Sequence, residues 1–526
     1  MLNEKLPSGL GKTISSLTAG SFLATTALMS LAPSEAQAQR PRKKMKKLLL
    51  MTICLVFATS LAQAGSDHYD ELANLAFPGH QPTQETADIL HDELFFQRAV
   101  QSYLWALPAM NMYAMREGQR NSFGDDSNIL MIAKDRIDHN FTYTTGNPDV
   151  IYAFAWLDLK KEGPMVLDMP PKLQGLLDDM WHRPITDIGA AGPDKNKGGK
   201  YLVVPSDYNG DIPEGYFVVK SRTHGVFIFL RAFLNDGKTD QGVTLLEQSK
   251  IYPLAKAKNP PKMKFPNLSG VPIEGDYPRD LEYFKRLADF INYETVDRED
   301  FAMRGMLAGI GIIKGKPFNP DRKMKALLDK AGQTGFKMAT TIDYDFRPKN
   351  FIYPDRNWEV VFVGGSAVFE METYRNLDAQ VMYFHKCYST SNAMVLKMVG
   401  KGSQYLFGLR DSDGNFLTGE NSYHLHLPPN VPAANYWSIV MYDSDTRALL
   451  NSGQPFSSVA SNQDITVNKD GSVDIYFGPT EPKVENANWI KTVPGRGYMG
   501  GMRLFSPTQV YFDQTWRPDN IIKMKE

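Results

Sequence analysis

Three groups of side chains could carry chemistry in this sequence. His424 and His426, in "SYHLHLPP", stand two apart on a segment with strand alternation, so both imidazoles share one face while Tyr423, Leu425 and Leu427 take the other. A His-x-His pair binds a divalent metal such as zinc, iron or copper when a carboxylate or third imidazole arrives, and His385 and Glu420 are candidates for that part. Asp149 and Tyr152, in "DVIYAFAWLDL", and Arg222 and His224, in "KSRTHG", form a second group. Converging in one cleft, they would bind a carboxylated or hydroxylated ligand, with His or Tyr as acid or base; as an Arg–Asp pair they would simply tie two strands together. The third group combines aromatic rings and guanidiniums: Trp437, Tyr442, Tyr476, Trp489, Arg496 and Arg503. Aromatic faces suit sugar rings or apolar ligands, and arginine adds a planar fork for carboxylates. Arg503 lies between Met502 and Leu504 and so opposes their face, whereas Trp437 in "YWSIVMYD" reads as core.

Familiar catalytic signatures are absent. There is no Gly-x-Ser-x-Gly elbow, His-Glu-x-x-His helix, Gly-Lys-Ser/Thr phosphate loop or Cys-x-x-Cys. "GIGIIKG" lies between helical segments rather than after a strand, which removes a dinucleotide reading. Cys387, near His385 in "FHKCYST", reads as a buried, inert thiol.

The elements that must position these residues follow from periodicity. Residues 84–118 have helical spacing interrupted at Pro108. From Tyr143 short apolar runs separated by Pro, Gly, Asn and Asp predict strands, with "GPDKNKGGK" as a loop. Pro-rich residues 257–278 mark a boundary, two helical patterns occupy about 280–345, and the chain from about 350 reads as strands again. Asp-Gly pairs at 413–414 and 470–471 predict hairpin turns. The expected organisation is a leader over 1–64, a helical segment over 65–142, a β-domain over 143–278, a helical module over 279–348 and a second β-domain over 349–526.

"KKMKKLLLMTICLVFATSLAQAG" has the cationic start, short apolar run and small residues of an export signal, with cleavage expected between Ala64 and Gly65. A weaker copy upstream ends in the same Ala-Gln-Ala, and Met45 is the natural start of a compact signal. Its apolar run is shorter than the roughly 20 residues a bilayer span needs, so a soluble periplasmic or secreted product is expected. Removing the leader removes Cys54 and leaves Cys387 alone, which excludes an internal disulfide. A formal charge of −1 disfavours a nucleic-acid partner.

"GNPDVIYAFAWLDL" and "YLVVPSDYNGDIPEGYFVVKSRTHGVFIFLRAFL", followed by "NSYHLHLPPNVPAANYWSIVMYD", "DGSVDIYFGP", "NWIKTVPGRGYMGGMRLFSP" and "TWRPDNI", carry a family resemblance. The chain resembles a two-part bacterial cell-envelope family, domain of unknown function twelve fifty-four followed by domain of unknown function twelve fourteen. The resemblance implies a mainly β fold with helical segments: an immunoglobulin-like β-sandwich, a helical module and a jelly-roll-like β-sandwich. It implies no reaction and transfers no catalytic residues. The reading that results is an exported protein binding or processing a polar or carboxylated small molecule or glycan in an inter-domain cleft. A non-catalytic, homo-oligomeric envelope scaffold and a metal-dependent enzyme built on His424 and His426 are the alternatives.

Overall fold

The computed structural model describes residues 67–525, so the export-signal residues, Ala64, Gly65 and Cys54 among them, lie outside the described residues. The described residues up to Thr86 belong to one unit and those from Ala87 onward to a second.

Helices α1 (Gln84–Trp105) and α2 (Leu107–Phe123) meet at Ala106, as the interruption at Pro108 predicts. Proline is tolerated there because the first turn of a helix needs no N–H from it. Helical structure then stops at Phe123, short of the expected 142. Strands β1 (Met131–Ile132), β2 (Val150–Asp158), β3 (Met165–Met169), β4 (Gln174–Asp179), β5 (Pro184–Ile188), β6 (Gly199–Pro205), β7 (Phe217–Ser221), β8 (Gly225–Phe233) and β9 (Lys250–Pro253) follow. They build two sheets, ordered β1-β2-β8-β4-β5 and β7-β6-β3-β9. The Pro-rich stretch after β9 runs alongside residues 129–141 through parallel bridges at Ile129–Lys264, Ile132–Asn267 and Phe141–Ile273.

Helices α3 (Leu281–Tyr293), α4 (Phe301–Gly309) and α5 (Arg322–Tyr344) occupy the predicted helical region. Asp280 and Asp321 cap α3 and α5 by accepting backbone N–H bonds from Glu282 and Met324. A ten-residue helix, α6 (Leu377–Lys386), and two single-turn helices, Asn392–Val395 and Gln509–Phe512, interrupt the region expected to be strands. Ala379 through Lys386 are all buried, so α6 has no polar face and hence no periodicity to betray it. Strands β10 (Trp358–Glu359), β11 (Ser403–Gly408), β12 (Tyr423–Leu427), β13 (Ala433–Asp443), β14 (Ser458–Ala460), β15 (Val473–Gly478), β16 (Asn488–Lys491), β17 (Tyr498–Pro507) and β18 (Ile522–Lys523) complete the chain. Their sheets are ordered β10-β11-β17-β13-β14 and β16-β15-β12-β18. The fold is therefore mixed and rich in β-structure. Among the described residues no helix is long and apolar enough to cross a membrane.

Strand alternation decides how the halves join. On β2 and β8, Ile151, Ala153, Ile228 and Leu230 face a core shared with Leu167, Tyr201 and Ile251 of the neighbouring sheet. Tyr152, Phe154, Phe227 and Phe229 face the opposite way. The second half repeats the pattern: Leu406, Ile439, Met502 and Leu504 share a core with Leu425 and Ile475, while Tyr405, Phe407 and Tyr442 face outward from it. The two outward faces, together with Tyr103, Phe284 and Tyr383 from the helices, make one large central core. A sheet buried on both faces needs apolar residues at every strand position, which is why β2 and β8 read as continuous apolar runs.

Candidate functional site

Where those two inner faces meet, the core is not filled. A pocket with about 410 Å³ of empty space lies between them. Thr145, Tyr152, Phe229 and Arg231 line it from the first half; Tyr405, Phe407 and Arg503 from the second; and Val361, Tyr383, Cys387, Tyr388 and Met394 from α6 and its flanks. Its mixture of apolar wall and few polar groups is typical of small-molecule sites.

Strand register places both guanidiniums. Tyr152 on β2 pairs with Arg231 on β8, and Tyr405 on β11 pairs with Arg503 on β17. Each arginine thus stands beside a tyrosine on its own sheet and points to the inner side, as expected for Arg503 between core-facing Met502 and Leu504. Arg503 is 7% exposed. Its Nε and Nη2 donate to the Tyr442 hydroxyl at 3.2 and 2.9 Å, and Nη2 also donates to the Thr145 carbonyl. The guanidinium lies 5.2 Å from the Tyr405 ring centroid. Arg231 is half-buried, 5.8 Å from the Phe505 ring centroid; burial opposes its charge, but the Tyr405 and Tyr152 phenols beside it outweigh that and favour the charged form.

Among the described residues neither guanidinium has a carboxylate partner. Two carboxylates feel their charge, but both are occupied elsewhere. Asp149 binds Arg136 at 2.6 Å and accepts from Ser458 and Gln463. Asp187 accepts from the Ala393 backbone N–H at 3.3 Å. Nor do the pocket's own acids supply an anion. Burial pushes the Tyr152, Tyr383 and Tyr388 phenols above their ordinary range and the Cys387 thiol up to about 11, so all four are neutral at pH 7. The pocket carries two positive charges and no negative one.

The remaining predicted residues do not join this site as a group. Asp149 immediately precedes β2, whose first residue Val150 lies opposite Phe233, and Tyr152 lies opposite Arg231, whereas Asp158, at the other end, lies opposite Gly225. Arg222 and His224 precede Gly225, so the antiparallel register holds them roughly 30 Å from Asp149, at about 3.3 Å per strand residue. Of the four only Tyr152 reaches the pocket. Arg222 is exposed and pairs with Asp297 and Glu299 at 3.4 and 3.1 Å. The His224 backbone N–H donates to Glu294, whose carboxyl burial raises to about 7.

Of the aromatic and guanidinium group, only Arg503 lines the pocket, with the Tyr442 hydroxyl accepting from its guanidinium. Trp437 packs into the second half's own core. Trp489 donates from its indole to the Gly478 carbonyl at 3.1 Å, and Arg496 pairs with Asp443 at 2.6 Å. His424 and His426 share a face, as expected, but both imidazoles contact the same oxygen of Asp474, at 2.7 and 2.8 Å. His385 is buried elsewhere, against Asp343 at 2.8 Å, and Glu420 accepts from the Gly495 backbone. Among the described residues no cluster of three or more His, Cys, Asp or Glu is arranged to hold a metal ion. Sequence reasoning missed Arg231, Tyr388 and Tyr405. The available signal was Arg231 itself, a single charge inside the apolar run "GVFIFLRAFL".

The family model of the protein of unknown function DUF1254 matches residues 127–253, and that of the protein of unknown function DUF1214 matches residues 402–509. The chain carries both domains, DUF1254 first. The DUF1254 match contributes Tyr152 and Arg231 to the pocket, the DUF1214 match contributes Tyr405 and Arg503, and α6 comes from the stretch between them. The chain is similar to the crystal structure of the VPA0106 protein from Vibrio parahaemolyticus, at 18% identity and a TM-score of 0.49, over 82% of this chain and 100% of that one. It is also similar to an uncharacterized protein from Burkholderia cenocepacia, at 13% identity and a TM-score of 0.39, over 82% of this chain and 94% of the other. No curated protein matches.

Proposed function

We propose that this chain is an exported protein that binds a small carboxylated molecule with an apolar body in the pocket between its DUF1254 and DUF1214 halves. The observation that carries this reading is the pair of guanidiniums, Arg231 and Arg503, without a carboxylate partner in an aromatic pocket. A buried charge without a counter-ion is costly, and a ligand carboxylate supplies the missing charge while accepting a planar fork of N–H donors. Phe229, Phe407, Val361 and Met394 supply the apolar wall against which the ligand body packs. Export to the periplasm or beyond rests on the Lys-led apolar leader ending at Ala64. The immunoglobulin-like and jelly-roll-like assignments of the two halves belong to the same reading, supported by the two sheets that share a core in each half.

Thermal denaturation of the purified chain with benzoate, hexanoate, glucuronate and succinate tests the proposal, with benzamide and hexanamide as uncharged counterparts. At least one carboxylate should raise the melting temperature saturably, while its amide should not. Equal stabilisation by acid and amide, or none by any carboxylate, overturns it.

A further inference from the structure

Helix α6 has a pocket on each side. Tyr383 and Cys387, four residues apart on one helical face, line the cationic pocket; Gln380 and Phe384, four apart on another, line a second one with about 400 Å³ of empty space. The second pocket also contains Trp105, Trp181, Asp300 and Arg375. Its electrostatics are the reverse of the first, because its guanidiniums already have carboxylates. Arg183 pairs with Asp179 and Asp297 at 2.7 and 3.0 Å, and Arg375 pairs with Glu370 and Glu299 at 3.2 and 3.5 Å. An anion therefore gains little here. A cation gains little either, since Asp300 already lies in the field of Arg183, Arg304 and Arg375.

What the second pocket lacks is neutral hydrogen-bond partners. Asp300 is 5% exposed, yet its Oδ2 has none; although the residue stands at the N-cap of α4, its side chain makes no capping bond. The buried Nε of Arg375 is also without an acceptor. One orphan acceptor and one orphan donor thus border the same space, beside two indoles whose centroids are 4.6 Å apart. A hydroxyl group both donates and accepts, so a ring bearing several of them satisfies a carboxylate and a guanidinium N–H together. Its C–H face packs against indole. We propose that this second pocket binds the ring of a neutral polyhydroxylated molecule, independently of the anion pocket across α6.

Isothermal titration of the full chain with glucose, galactose, maltose, cellobiose and N,N′-diacetylchitobiose tests this. At least one sugar should bind, excess benzoate should leave its affinity unchanged, and Asp300→Ala should weaken it by about 10-fold, the effect of losing a hydrogen bond to a charged group. If Asp300→Ala does not fold, Arg375→Met should give a loss of the same direction. Failure of every sugar to bind, competition by benzoate, or unchanged affinity in a folded Asp300→Ala or Arg375→Met protein overturns the proposal.

Discussion

Arg447 and Arg503 are both buried, both in the C-terminal half and both ringed by tyrosines, yet they are completed differently. Arg447 donates to the carbonyls of His385 and Asp445 and pairs with the Asp276 carboxylate at 2.8 Å. Every arm of its guanidinium is engaged, and its charge is neutralised by a residue from the segment that precedes α3. Arg503 has a phenol, a backbone carbonyl and aromatic faces, but no carboxylate. The first arrangement holds a loop to the helices. The second leaves a charge facing empty space, and the lesson is that the missing partner, rather than the burial, marks a binding site.

The sharpest way to break this comparison is to remove each arginine. Arg447→Met leaves Asp276 with Arg279 as its remaining cation and strips the buried His385 carbonyl of the guanidinium donor, and should cost about 3 kcal/mol in urea denaturation. Arg503→Met removes a charge with no counter-ion and should shift stability by no more than about 1 kcal/mol, while eliminating stabilisation by carboxylates, a loss of about 2–5 kcal/mol in binding. A large stability loss in Arg503→Met would make Arg503 structural like Arg447.

A smaller effect comes from His182, a buried base that protein groups do complete. Its Nδ1 accepts from the Ser389 backbone and its Nε2 contacts the Asn111 side-chain oxygen at 3.0 Å, while burial lowers its pKa to about 3. Its folded pKa lies below the unfolded value, so the unfolded chain binds the extra proton between about pH 6.5 and 3. His182 should therefore lower stability by about 1.4 kcal/mol per pH unit as pH falls through that window. Denaturation of His182→Gln across it should show a shallower slope than the parent; an identical slope refutes the assignment.

The smallest effect belongs to Asp474, on the outer face of β15. Partial burial opposes its charge, but hydrogen bonds from His426, Asn468 and His424 outweigh that and hold the carboxyl at about 2. Its contribution is present above the ordinary carboxylate range and is lost as pH falls toward 2. Because the cluster is solvent-accessible, Asp474→Asn should cost no more than about 1 kcal/mol at neutral pH. A larger loss would show that the shared carboxylate secures the β12–β15 pairing rather than merely satisfying two surface imidazoles.

Much of the local structure was legible in the residues. Pro108 announced the break between α1 and α2, and the alternation in "YHLHL" put both imidazoles on one face. Met502-Arg503-Leu504 likewise announced that the arginine opposed its neighbours. Helix α6 was not legible, because burial on every side erases the periodicity that reveals helices. The grouping of Asp149, Tyr152, Arg222 and His224 failed for a different reason. Each lies near an end of β2 or β8, and only the antiparallel register shows that those ends are opposite ones.

By itself, then, the sequence determined the β-rich character, the order of the two domains and the helical stretches around them. Those properties depend on residue type and short-range spacing, which a linear reading preserves. The tertiary structure alone decided that β2, β8, β11 and β17 turn their second faces toward one another, that α6 separates two pockets, and that one pocket is charged and the other balanced. Each of those facts depends on which residues lie opposite across sheets hundreds of positions apart. A guanidinium's function turns on whether a carboxylate stands within a few ångströms, and the sequence holds no record of that distance.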